Sequence, residues 1–328
     1  MSKKLLITEK PSVAMEFAKA LKITTNRKNG YLESNDWIIT WCVGHLVTMS
    51  YPEKYDEKLK FWRLDTLPFI PKEWKYEIIP NVQNQFNIVK ETMEHKWKDS
   101  KYIGYFQADT NTYAPLNKLK ECYESILNIP GVIGLNIATR PDSITPEVYD
   151  YLEELSKRTN LVVEIGLQTI HEKTAKLINR GHTLECFNEC IHELRKRNID
   201  VVVHVINGLP YETKEDMIET IKYVSSLDIQ GIKIHMLFIL KGTPLEKMYN
   251  LTHFHVLTKE EYIDIVCDEL EYLREDIVVN RITGDPIKEL TIEPKWLFKK
   301  FCVLNDIDKE MVKRDSYQGI KYKKSADK

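Results

Sequence analysis

From residue 102 onward the chain repeats one pattern: a short run of apolar and β-branched residues, a polar turn, then an amphipathic stretch of helical period. The apolar runs are 102–106 (YIGYF), 132–138, 161–167, 200–206 (DVVVHVI) and 231–237. Helices are predicted between them at 115–127, 146–157, 171–178, 183–197 and 214–226. Strands that alternate with helices are not hairpin neighbours. They pair in parallel through right-handed crossovers, so the expected class is α/β with five strands in one sheet. One more helix is predicted at 259–275, and the end, KRDSYQGIKYKKSADK, reads as a polar, basic, frayed tail.

The first hundred residues follow another rhythm. Strands are predicted at Leu5–Thr8 and at Trp37–Val43 (WIITWCV), with a helix opening at Pro11 and Ser12. Residues 50–75 hold Pro52, Pro68 and Pro71 among many charges and read as an irregular excursion; Gln83–Trp97 reads as a polar helix. Within Leu6-Ile7-Thr8-Glu9-Lys10-Pro11-Ser12, a carboxylate and an ammonium stand at the carboxyl end of a strand, where α/β sheets bind ligands. Glu9 there can act as acid or base or hold a divalent metal. It can equally be a helix-start glutamate facing the dipole.

Bulk properties narrow the classes. Hydrophobic residues make up 43% of 328, enough for a real core, and the net charge of −2 gives no general attraction to nucleic acid or an anionic membrane. The opening Met-Ser-Lys-Lys-Leu-Leu-Ile-Thr-Glu-Lys has too short an apolar run for a signal peptide, and no stretch is long enough for a membrane span. The expected location is the cytoplasm. Six scattered cysteines agree, since they form no dense disulfide framework.

Chemistry gathers at the strand ends of the second segment. Gln107, Thr110 and Asn111 follow the first strand, Arg140-Pro141-Asp142 the second, and Gln168-Thr169 the third; Asn207-Gly208-Leu209-Pro210 follows the fourth and Lys241-Gly242-Thr243-Pro244 the last. Function in βα barrels collects at these carboxyl ends, although Asn-Gly and Lys-Gly-Thr-Pro are also good turns. Glu164 lies inside an otherwise apolar strand, which is costly unless the carboxylate is paired or bound. His171, His182, His204 and His235 read as core or helix histidines. The last two alternate with apolar residues in strands and could point into a barrel, and the spacing supports no zinc site.

The set YFQADTNTYAP, IATRPD, VEIGLQT, RGHT, HVINGLPYET, KIHMLFILKGTPL, RITGD and RDSYQG, spanning 101 to 323, resembles the YhcC-like branch of the radical S-adenosylmethionine (SAM) proteins. The resemblance implies a partial (β/α) barrel over 101–250 and a carboxy-terminal helical extension and tail over 251–328. It implies SAM and a 4Fe–4S cluster as the cofactors of the parent family. By position, Glu164 and Gln168 would touch the ribose or methionine end of SAM, and Arg140 would sit near its carboxylate. Asn207 and Gly208 would lie by the adenine. The loop Gln107–Thr112, with Thr110 and Asn111, would replace the loop that meets the methionine amine. The chain departs from that family at the cluster: three grouped cysteines belong upstream of YFQ, and only Cys42 stands there. Cys186 and Cys190 share one helical face with no third cysteine near, so no cluster ligands are identified.

LLITEKPSVAMEFAKAL, with WCVGHLV, is similar to the amino terminus of type IA DNA topoisomerases of the topoisomerase III kind, the start of their TOPRIM domain, over residues 1–96. Glu9 would be the TOPRIM glutamate and a weak Mg²⁺ ligand, Lys10 its phosphate-handling neighbour, and Gly44-His45-Leu46 part of the family's Gly-His-Leu stretch. DNA would be the partner of this segment. The Asp-x-Asp-x-Glu motif that follows in that family is absent, Asp109-Thr110-Asn111 being the nearest echo, and no tyrosine matches its nucleophile. The expected molecule is therefore an incomplete TOPRIM-like α/β unit joined near 96–101 to a partial radical SAM barrel, with an unknown substrate and no radical activity. A fusion by deletion, an assembly error or a synthetic splice would each produce it. Without the family's first strand, Tyr102–Phe106 would be a sheet edge.

Overall fold

The computed structural model describes residues 4–8, 15, 18, 23–28, 31–34, 37–41, 47–49, 76–78, 101–107 and 110–323. Of the predicted helix after Pro11, Met15 and Ala18 are described and both are helical; the excursion at 50–75, the helix at Gln83–Trp97, and Glu9, Lys10, Gly44-His45-Leu46 and Asp109 lie outside these residues. The chain divides into two compact units, Met1–Tyr102 and Ile103–Lys328.

In the first unit, β1 (Lys4–Thr8), β2 (Asn26–Lys28), β3 (Tyr31–Glu33) and β4 (Trp37–Trp41) form a sheet of order β1-β4-β3-β2. β1 and β4 run parallel and the other pairs antiparallel. A second pair, β5 (Val47–Met49) and β6 (Tyr76–Ile78), is antiparallel. Both strands expected from the sequence are present, the second described over Trp37–Trp41, with Cys42 and Val43 outside the described residues.

The second unit is built on β7 (Tyr102–Phe106), β8 (Val132–Thr139), β9 (Asn160–Gln168), β10 (Asp200–Asn207), β11 (Gly231–Met236) and β13 (Val278–Arg281), with a two-residue β12 (Ile239–Leu240) intervening. Their order is β13-β11-β10-β9-β8-β7, a curled parallel half-barrel. All five expected strands are present. The sixth lies at the far edge, beside β11. Four residues, VVNR, with every other one exposed, are too short a pattern to separate from a loop. β7 ends the sheet on the other side, as expected.

Each central strand has two unlike faces. Leu135 and Ile137 of β8, Val163 and Ile165 of β9, Val201 and Val203 of β10 and Ile232 and Ile234 of β11 are fully buried against the helices. Those helices are α1 (Leu116–Leu127), α2 (Pro146–Ser156), α3 (Glu172–Leu177), α4 (Leu184–Lys196) and α5 (Lys214–Ser226), close to the predicted bounds. Helices α6 (Pro244–Thr252), α7 (Lys259–Tyr272) and α8 (Lys300–Lys313) follow. Threonine precedes five of them, and in four its side chain caps the helix. Thr213 with Asp216 and Thr258 with Glu261 form capping boxes, and the Thr183 and Thr243 hydroxyls accept from Cys186 N and Glu246 N.

The expectation of a frayed end is corrected over residues 313–323; residues 324–328 lie outside the described residues. Residues 300–313 are helical, and the segment after them is pinned to α7. Arg314 pairs with Asp264, Asp268 and Glu310, and the Gln318 amide donates to the Arg274 and Ile277 carbonyls at 2.8 Å each. Polar composition concealed this because the partners are carboxylates and carbonyls of distant elements. Among the described residues no helix is long and apolar enough to cross a membrane.

Candidate functional site

The strand face turned away from the helices carries polar residues at alternate positions: Tyr105 on β7, Asn136 on β8, Glu164 on β9, His204 on β10, Lys233 and His235 on β11. Glu164 is their hub. Its Oε2 accepts from the Tyr105 hydroxyl at 2.8 Å, from His204 Nε2 at 2.8 Å and from Lys233 Nζ at 2.6 Å. Its Oε1 faces the Asn136 amide at 3.4 Å. Lys233 Nζ also donates to the Tyr105 oxygen at 2.6 Å and lies 4.6 Å from that ring's centre.

The last contact measures the curl. β7 and β11 are separated by three strands, so a flat sheet would hold them about 19 Å apart. A lysine and a tyrosine side chain cannot span that distance together. Only a sheet rolled into a half-barrel brings the two tips within hydrogen-bonding range, and the hub bridges its lumen.

Burial works against ionisation of Glu164, yet the hydrogen bonds and charges of His204 and Lys233 prevail and hold its carboxyl at about 2. Burial, with the Glu164 charge beside it, raises the Tyr105 phenol, which stays protonated. Burial and the neighbouring His204, Arg281 and Lys233 push His235 down to about 3, so its ring is neutral; its Nε2 is buried without a partner, 5.2 Å separating its ring centre from that of His204.

The strand ends form the rim above this floor. Gln107 is exposed after β7 and Thr110 is half-buried. The Asn111 amide donates to the carbonyls of Phe106 and Ala138 at 3.1 and 2.7 Å, which fastens the loop between β7 and β8. Arg140 grips Asp142 through Nε and Nη2 at 2.9 and 2.7 Å. Gln168 ends β9 with a φ of 68°, and a Cβ at Gly166 would lie 2.7 Å from its Nε2, so the bare glycine leaves room for that amide. Gly208 has a φ of 78°. Asn207 turns to the helix side, where its amide donates to Glu269 of α7 at 2.8 Å.

The structure thus brings Gln107, Thr110, Arg140 and Gln168 to adjacent strand ends. The Asn111 amide meets backbone carbonyls and the Asn207 amide meets the Glu269 carboxyl, and the Glu164 carboxylate is engaged by three donors in mid-strand. Sequence reasoning singled out Glu164 and set His204 in a strand, but missed Tyr105, Asn136 and Lys233. The signal available was parity: each occupies an inward position of a strand whose alternate residues are apolar.

The thiols of the described residues do not fit an iron–sulfur cluster. Cys122 lies on α1, Cys186 and Cys190 on α4, Cys267 on α7 and Cys302 on α8, all on outer helices and none on a strand-end loop. A cluster needs converging thiolates. Burial instead pushes Cys190 to about 12 and Cys267 to about 11. Among the described residues the one grouping of three metal donors is His171, Asp216 and Glu219, which has no thiol.

Comparison with known proteins agrees with this architecture. The Radical SAM superfamily profile matches residues 76–224 and the Radical SAM C-terminal domain profile residues 229–313. YtqA of Bacillus subtilis (strain 168) is 52% identical over 235 residues, 72% of this chain and 73% of its own length. YhcC of Escherichia coli (strain K12) is 30% identical over 210 residues, 64% and 68% of the two chains. The archaeal Elp3 of Methanocaldococcus infernus superposes with a TM-score of 0.60 at 18% identity, over 70% of this chain and 58% of that one, a likeness of fold. Over 98 residues, 30% of its length, the chain is 50% identical to DNA topoisomerase 3 of Staphylococcus aureus (strain USA300), of which it covers 14%. Both resemblances read from the motifs are present, and the half-barrel, its profile matches and its relatives together place this chain in the radical SAM superfamily.

Proposed function

We propose that the chain binds SAM, or a molecule built like it, at the carboxyl rim of the half-barrel and does not cleave it reductively. The observation that carries this reading is the mismatch between a retained polar rim and cysteines scattered over outer helices. Gln107, Thr110 and Gln168 make no side-chain hydrogen bond among the described residues and are available to a ligand. Arg140 can meet a carboxylate while held by Asp142. Gly208 permits a close backbone approach, and Glu164, Asn111 and Asn207 hold the strands and loops that carry the rim. Residues 101–250 act as the binding barrel, 251–328 as its helical brace and 1–96 as a separate truncated TOPRIM-like segment, all working in the cytoplasm. In the parent family, bound SAM and its cluster supply the 5′-deoxyadenosyl radical; no step of that kind is assigned to this chain. Anaerobic expression with iron and sulfide, followed by iron analysis, visible absorbance and assay for 5′-deoxyadenosine, tests the reading. The expected result is SAM binding by calorimetry, weakened about tenfold in Gln168→Ala, with no stoichiometric iron and no cleavage. Stoichiometric iron with SAM cleavage overturns it.

A second reading rests on the 50% identity of the 98-residue stretch to DNA topoisomerase 3. The first segment then contacts DNA, with Glu9 a weak Mg²⁺ ligand and Lys10 near phosphate. One carboxylate supplies too few hard oxygen ligands for tight binding. Calorimetric titration of Mg²⁺ into wild type and Glu9→Gln, with a relaxation assay on supercoiled DNA, separates the readings; relaxation by this chain contradicts the first.

A further inference from the structure

The hub holds more donors than a structural ion pair needs. One lysine neutralises one carboxylate, yet Glu164 Oε2 also receives the Tyr105 hydroxyl and the His204 ring. The groups are unequally accessible. The Glu164 side chain is 1% exposed, against 12% for Lys233 and 19% for His204, so the carboxylate is sealed while the ammonium and the imidazole remain reachable from the lumen.

This arrangement decides which nitrogen of His204 carries its hydrogen. Glu164 is ionised across the neutral range, and an ionised carboxylate only accepts. Nε2 of His204 therefore donates, and in the neutral ring the lone pair is left on Nδ1. A carboxylate that fixes an imidazole in one tautomer prepares it as a base, and it stabilises the imidazolium once a proton arrives. On the same carboxylate oxygen sits an ammonium with one N–H to spare, a group suited to negative charge on oxygen.

We propose that His204 and Lys233 form a proton-transfer centre on the inner face of the half-barrel, acting on a small uncharged molecule whose conjugate base carries its charge on oxygen. The substrate X–H bond breaks, its electron pair stays with the substrate as the oxygen anion, and the proton moves to His204 Nδ1. Glu164 holds the resulting imidazolium, and Lys233, whose third N–H is not taken by Glu164 or Tyr105, holds the anion. The charged and titratable groups facing the centre are Tyr105 from β7, Glu164 from β9, Lys233 and His235 from β11 and Arg281 from β13. This chemistry is independent of SAM and goes beyond the rim reading.

The test uses the full chain and 5-nitrobenzisoxazole, a neutral probe that a base opens by removing one carbon-bound hydrogen as the N–O bond breaks, yielding a coloured phenolate. Wild type should open it with saturation and faster than free imidazole at equal concentration. His204→Gln should lose about a hundredfold or more, the scale of a positioned general base. Lys233→Met should slow the maximal rate. Glu164→Gln should displace the pH profile, which a purely structural role would leave in place. Nitrogen-15 NMR of histidine-labelled protein gives a second readout that survives a poorly folded variant: the neutral form of His204 should show a bare Nδ1. A wild-type rate no better than imidazole, an unchanged rate in His204→Gln, or a protonated Nδ1 in neutral His204 each overturns the proposal.

Discussion

Glu164 and Glu269 are both buried carboxyls, with opposite electrostatic fates. Glu164 meets a cation and three donors and is held at about 2, whereas Glu269, 0% exposed, meets the Asn207 amide alone, and burial with the nearby Asp268 charge raises it to about 8. The signs differ accordingly. Glu269 binds its proton more tightly folded than unfolded, so its contribution is complete below about pH 4.5 and is lost as pH rises toward 8. The slope approaches about 1.4 kcal/mol per pH unit. In urea unfolding from pH 5 to 8, Glu269→Gln should flatten that decline, and parallel profiles for the two proteins would refute the assignment. Glu164 does the reverse: its contribution stands above about pH 4.5 and fades toward pH 2. Removing one partner of a buried pair strands the other, at a cost of about 3–5 kcal/mol. Glu164→Gln and Lys233→Met should each destabilise on that scale, and the double variant should lose clearly less than their sum. Strict additivity in a double-mutant cycle would show that the pair is not coupled.

At the level of elements, β7 and β10 carry the same kind of sequence in different positions. β10 is flanked by β9 and β11, while β7 ends the sheet with β8 as its sheet neighbour. Amides of 103–106 should exchange with solvent much faster than those of 200–206, since opening follows missing partners. Equal, strong protection would mean that β7 is held by more than its neighbour and the hub. Tyr105 is the side chain tying β7 across the lumen to Glu164 and Lys233. Tyr105→Phe should therefore speed exchange in β7 further and leave β10 unaffected. Helix α7 links two scales. Its inner side packs the core through Tyr262, Val266 and Leu270, and its outer side receives Arg314 and Lys321 through Asp264, Asp268 and Glu271. Arg314→Ala should release the segment after α8, raising proteolytic cleavage near residues 314–323 before the barrel opens.

Across the whole molecule, the parallel sheet and its helical cover were legible in the apolar runs and the helical period, which are local signals, and the barrel and its family in the motif set that resembles it. The motif residues at the strand ends were legible as positions. The hydrogen bonds they make inside the protein were not: the amides of Asn111 and Asn207, expected at the ligand, donate to backbone carbonyls and to a helix glutamate of other elements. The sixth strand was hidden because four half-exposed residues carry too little periodicity, and the pinned end because its partners are dispersed along α7. Alternation along a strand says that Tyr105, Glu164, His204 and Lys233 share a face. Only the curl of the sheet says that four residues on four strands meet at one oxygen. That curl arises from strand twist accumulated over the whole sheet and from the helices packed behind it, and no single stretch of sequence encodes it.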